Sequence, residues 1–239
     1  MPTASFTPES LRFLAQMKRH NDREWFQPRK ETFDRVIREP MLALVDTLND
    51  TLAQVSPEYV HPANRILLRI YRDTRFGEDK SPYKQHQGAW WRHGRVPRMP
   101  GATTSGGGFY LHLGPTEMVV AAGIFMPTPP QLLAIRNRIA EHPDELRRLL
   151  DGKRLRKLLP DFQGNPLTRM PKGFAPGHPA EDLLRCRRFG LCVHWPAERA
   201  LDPSLARDLA TIFRAAAPLV AWLNEPLLTP ASSGVRERF

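Results

Sequence analysis

The sequence predicts an α+β fold, a central antiparallel sheet with helices packed on one face and helical segments at the N- and C-terminal ends. Three features predict it. Capped stretches with apolar residues three and four apart open and close the chain. Segments of alternating apolarity cluster in the middle, and strands and helices do not succeed one another regularly as a parallel sheet would require.

The first helix is read in FTPESLRFLAQMKRH, with Thr7 as N-cap, Pro8 at the first helical position and Leu11, Leu14 and Ala15 on one face. A second opens at NDREWF, where Asn21 is expected to cap and Glu24 to reach back to it. Its stripe runs through Trp25, Phe33 and Val36, then Leu44, Leu48 and Leu52. Pro40 is expected to kink or divide it, because proline removes a backbone donor and clashes with the preceding turn.

Strand candidates follow. RILLRIYRD places Leu68 and Ile70 on one face and Arg69 and Tyr71 on the other. WWRHGRVPRMPGATTSGGG reads as a mobile or sharply turned basic stretch. GFYLHL and EMVVAAGIFM form an expected hairpin across Gly114 and Pro115, and RRFGLCVHWP is a further strand. The helix of TPPQLLAIRNRIAEH begins at Thr128. HPDELRRLLDGKRLRKLL is interrupted at Gly152, and DPSLARDLATIFRAAAPLVAWLNEPL closes the chain from a cap at Asp202. A length of 239 residues suits one α+β domain over residues 1–228, followed by a frayed tail over 229–239.

Composition narrows the class. MPTASFTPES lacks the basic-then-apolar pattern of a signal peptide, and no stretch approaches the roughly 18 apolar residues of a membrane span. A cytoplasmic protein without a membrane partner is expected. Cys186 and Cys192, about 20 Å apart if extended, are read as reduced structural thiols, and no zinc pattern is present. The net charge of +10 rests on 28 Arg and 7 Lys. It points either to a polyanionic partner such as nucleic acid or to a compositional bias toward arginine.

Like parity places Tyr110 with His112, Cys192 with His194, and Arg69 with Tyr71. If the strands pair, one sheet face is apolar and covered. The other carries guanidinium, phenol and imidazole groups, either as a solvated face or as the floor of a cleft. RIYRDTRFGEDKSPYKQH adds Arg72, Arg75, Lys80, Tyr83 and Lys84 against Asp73, Glu78 and Asp79. Arginine forks and lysine point charges in that density suit a phosphate or carboxylate, unless they form a surface loop of weak ion pairs. His112 and Tyr83 are the candidates for acid–base catalysis, and His194 is a further strand imidazole of that kind. The candidate ligand-binding set is Arg69, Tyr71, Arg72, Arg75, Lys80, Lys84, Tyr110 and Lys172. No resident metal is expected. A meeting of His112, His194 and a carboxylate such as Asp73 is the arrangement that would change that. No nucleophile elbow, P-loop or dinucleotide fingerprint occurs.

NDREWF, RIYRDTRFGEDKSPYK, GFYLHL, GIFMP and RMPKGFAPGHPAEDLL, in that order, resemble a widespread family of conserved hypothetical proteins, domain of unknown function 2461. The resemblance runs from about Phe6 to Leu227. Its matching residues are Asn21, Arg23, Glu24, Trp25 and Phe26, then Arg69 through Lys84, then Pro171, Lys172 and Gly173. It implies a single-domain family and carries no activity, cofactor or partner. The chain departs from it in AAG before IFMP and in a longer basic insertion from Arg92 to Gly106. Two functions remain: a cleft for a small anionic ligand, with or without acid–base catalysis, or a noncatalytic nucleic-acid- or protein-binding module using a basic surface.

Overall fold

The structure, a computed structural model, describes residues 5–75, 78–97 and 106–228. The expected tail over 229–239 and residues 98–105 of the basic insertion lie outside the described residues. Five antiparallel strands form one sheet in the order β1-β2-β3-β5-β4: β1 Gln87–Arg92, β2 Gly108–Leu113, β3 Glu117–Ile124, β4 Asp161–Gln163 and β5 Phe189–Pro196. With the helices around it, the fold is α+β.

Alternation decides which face is covered. Trp91, Phe109, Leu111, Leu113, Met118, Val120, Ala122 and Leu191 are fully buried. The long helix Glu39–Val55 and the closing helix Leu205–Leu228 pack against them, and Phe213 of the closing helix lies between Phe109 (4.8 Å, stacked) and Trp91 (5.0 Å, edge-on). Two buried asparagines tie these helices to the sheet. Asn49 accepts from Trp91 Nε1 at 3.0 Å and donates to the His61 carbonyl at 2.9 Å. Asn224 accepts from the Gly107 amide at 2.8 Å and donates to the Gly107 carbonyl and the Tyr59 hydroxyl. A polar group buried there without partners would be costly, and each of these side chains is matched at both its donor and its acceptor.

Most local signals hold. Thr7 precedes the helix Pro8–Arg19, with its amide bonded to Ser10 Oγ, and the Thr128 amide donates to Gln131 Oε1 at the next long helix. Gly152 separates the helices Pro143–Leu150 and Lys153–Leu158. Pro40 lies in the first turn of the helix Glu39–Val55, directly after a π-helical turn over Asp34–Arg38.

Three expectations are corrected. Asp22, not Asn21, caps the helix Arg23–Phe26, its carboxylate accepting the Trp25 amide at 2.7 Å. Asn21 instead pairs with the Tyr83 backbone, donating to its carbonyl at 3.0 Å and accepting its amide at 3.1 Å. RILLRIYRD is not a sheet strand: Ala63–Ile66 is a helical turn, and the rest is extended with isolated bridges at Leu67–Ala89 and Tyr71–Tyr83. The edge strand comes instead from Gln87–Arg92, whose second half, Trp90–Arg92, opens the stretch read as mobile or sharply turned, because the apolar pair Ala89 and Trp91 extends the core.

Candidate functional site

On the uncovered face the strand register aligns three rows. Trp90, Tyr110, Ala121, Cys192 and Asp161 are successive partners across all five strands. Beside them run Gly88, His112, Val119 and His194, and on the other flank Gly108, Gly123, Gly190 and Gln163. The glycines make room. A Cβ on Gly190 would lie 2.3 Å from the Phe125 ring, and Gly123 (φ +122°) would bring one to 2.2 Å from the Phe189 carbonyl oxygen. Phe125 thus closes over Gly190 while Trp90 reaches Gly108. Between them lies a cavity of about 380 Å³, floored by Val119 and Ala121 and walled by Trp90, Tyr110, Phe125, Met126, Gln163, Cys192 and His194.

Beside its Tyr110 wall lies a cluster of rings. The Tyr110 hydroxyl lies 3.0 Å from His112 Nδ1, and His112 stacks on His86 at 4.3 Å. Burial, and then the neighbouring His86, holds the His112 imidazole down to about 4, so it is neutral at pH 7. Burial also pushes the Tyr110 phenol up to about 12, and His86 is lowered by burial and then by Lys84. His194 Nδ1 is 2.9 Å from Glu117 Oε2, and that hydrogen bond lowers the Glu117 carboxyl. His194 Nε2 lies 3.9 Å from Cys192 Sγ, whose thiol is pushed up by burial and then by Asp161.

The predicted site residues divide among several places. Tyr110 lines this cavity and His112 adjoins it through Tyr110. Arg69 and Tyr71 are exposed and line a separate cavity of about 260 Å³ with Lys30, Asp34 and Arg38, because their segment leaves the edge strand after Leu68. Lys84 stands between the two, its Nζ donating to the Arg69 carbonyl at 2.9 Å while its charge bears on His86. Burial and then Arg69 lower the Lys84 ammonium. Arg72 pairs with Asp79, Arg75 forks onto Asp73 at 2.7 and 2.9 Å, and Lys80 donates to the Thr74 carbonyl. Lys172 is exposed and lines neither cavity. Tyr83 is wholly buried against Phe26, with ring centroids 4.2 Å apart, and is a core residue rather than an acid–base group in a cleft.

Sequence reasoning missed His86, Trp90, Glu117 and Asp161. Trp90 belongs to the basic stretch read as mobile or sharply turned, and Asp161 lies on a three-residue edge strand too short for alternation to mark. Glu117 meets His194 across 77 residues of sequence, which no local pattern encodes. Parity placed Cys192 with His194, but not the groups around them.

A family model described as conserved hypothetical protein (DUF2461) matches residues 9–222. No curated protein and no solved structure matches the chain. Among the described residues, no helix is long and apolar enough to cross a membrane.

Proposed function

The chain belongs to the DUF2461 family of conserved hypothetical proteins, and we propose that it binds a small organic ligand with an apolar body and an anionic head on the uncovered face of the sheet. The cavity between Trp90 and Phe125 carries this reading, since a mostly apolar concavity with a few converging polar groups of shifted ionisation is the usual form of a ligand site. The body rests on Val119 and Ala121. The head lies toward Tyr110 and His112, where Lys84 supplies positive charge beside His86. Neutral His112, hydrogen-bonded to the Tyr110 hydroxyl, is the group that accepts or relays a proton.

Anilinonaphthalene sulfonate, an apolar dye with an anionic head, tests this. One saturable site per chain is expected, with affinity reduced tenfold or more in Ala121→Phe, which fills the floor. Unchanged binding in a folded Ala121→Phe variant would place the ligand elsewhere. Phenylnaphthylamine, the uncharged counterpart, is expected to bind more weakly than the sulfonate. Equal binding of the two would remove the anionic head.

A second reading seats the anion at the smaller cavity, where Lys30, Arg38 and Arg69 face one carboxylate, Asp34. It is favoured if Arg69→Ala, rather than Ala121→Phe, abolishes sulfonate binding. The remaining arginine-rich surface is the basis of the nucleic-acid alternative, which requires oligonucleotide binding that weakens steeply with salt.

A further inference from the structure

The β4–β5 end of the cavity carries a group of donors that the ligand reading does not use. Asp161 and Cys192 are direct partners across the two strands, and His194 follows Cys192 by two residues on the same face. One ligand atom from each, a carboxylate oxygen, Cys192 Sγ and a His194 ring nitrogen, lies within 4.8 Å of the other two. We propose that Asp161, Cys192 and His194 form a binding site for a divalent zinc-like metal ion in the wall of this cavity.

The donor chemistry is that of a borderline-soft ion: thiolate, imidazole and carboxylate together suit zinc better than calcium or magnesium, which take oxygen ligands. The spacing fits. A tetrahedral ion with Zn–S of about 2.3 Å and Zn–N of about 2.0 Å sets sulfur and nitrogen roughly 3.6 Å apart. Cys192 Sγ and His194 Nε2 are 3.9 Å apart, a few tenths of an ångström from that edge.

Glu117 orients the imidazole. By accepting the Nδ1 proton of His194 at 2.9 Å, its carboxylate leaves the Nε2 lone pair directed toward Cys192, as outer carboxylates do for metal-bound histidines. Asp161 and His194 are exposed, so an ion has a path in from solvent. Cys192 gives up its thiol proton on binding, so metal affinity rises with pH. Three protein donors leave a coordination position open, and Cys192 and His194 both line the cavity. A metal there would meet the ligand proposed above.

Cobalt(II) titration of the full chain without an affinity tag tests the site. One ion per chain is expected, with a thiolate-to-cobalt charge-transfer band that zinc abolishes stoichiometrically. Cys192→Ser is expected to remove the band and Cys186→Ser to leave it. His194→Gln and Asp161→Asn should each weaken binding at least tenfold, and Glu117→Gln by about 10- to 100-fold, with the band retained. Absence of a thiolate band, or a band that survives Cys192→Ser in a folded protein, overturns the proposal. The two proposals separate cleanly: metal binding without sulfonate binding would remove the ligand reading alone, and sulfonate binding without a thiolate band would remove the metal site alone.

Discussion

The two faces of the sheet are built from the same strands and differ in what they leave unfinished. On the covered face, Phe109, Leu111, Val120 and Leu191 meet helices, and the polar groups that enter, Asn49 and Asn224, are bonded at both ends. On the uncovered face the residues one position away are tyrosine, histidine, cysteine and glycine, with Val119 and Ala121 as the floor, and they surround a cavity instead of filling it. Close packing stabilises the first face. The second keeps groups whose ionisation burial has shifted, such as His112 and Tyr110, where packing alone would favour apolar residues. One side of the sheet is closed by packing against helices, and the other encloses a cavity.

The sharpest way to break that contrast uses two neighbours on β3. Ala122 is fully buried in the core, whereas Ala121 floors the cavity. Ala122→Phe is expected to cost about 3 kcal/mol or to prevent folding, through overpacking. Ala121→Phe is expected to change stability by less than about 1 kcal/mol in urea unfolding, since the added ring enters empty space. Equal losses from the two would erase the distinction between the faces.

Acid probes the uncovered face through His112, while His93, buried beside Tyr59 in the core, is lowered by burial in the same direction. His112 titrates near 4 in the folded protein against 6.5 for an ordinary histidine, so below pH 6.5 the unfolded chain takes up its proton first. Stability is therefore complete above pH 6.5 and falls as the pH drops toward 4, by up to roughly 3 kcal/mol from this residue. His86 acts in the same direction. His112→Gln should flatten the denaturation free energy across that window, and a wild-type profile flat from pH 6.5 to 4 would contradict the buried neutral imidazole.

The smallest effect belongs to the charged loop. Arg75 and Asp73 are paired in solvent, so Arg75→Ala should leave the unfolding midpoint within experimental error. A clear loss would give that segment a structural part that its exposure does not indicate.

Much of the contrast was legible in local spacing. GFYLHL and GLCVHW announce by parity alone that Tyr110 accompanies His112 and that Cys192 accompanies His194, each opposite an apolar face. Thr7, Thr128, Gly152 and Pro40 mark their helix boundaries because capping and breaking act within a few residues. The density of charge from Arg69 to Lys84 does not say where its side chains point. Charge composition does not say whether a cation faces a ligand or its own neighbour, and Arg72 and Arg75 chose Asp79 and Asp73.

The chain's own order of residues determined the α+β class, the helix ends and the face on which each strand residue points, since these follow from periodicities of 2 and 3.6 and from short-range hydrogen bonds. The order of the strands, and with it the cavity, came from elsewhere. Bringing β5 between β3 and β4 puts Cys192 beside Asp161 and His194 against Glu117, and it leaves Arg69 outside. Those meetings join residues 31 and 77 positions apart, and their register is set by burying the apolar face against the helices, a balance struck over the whole core.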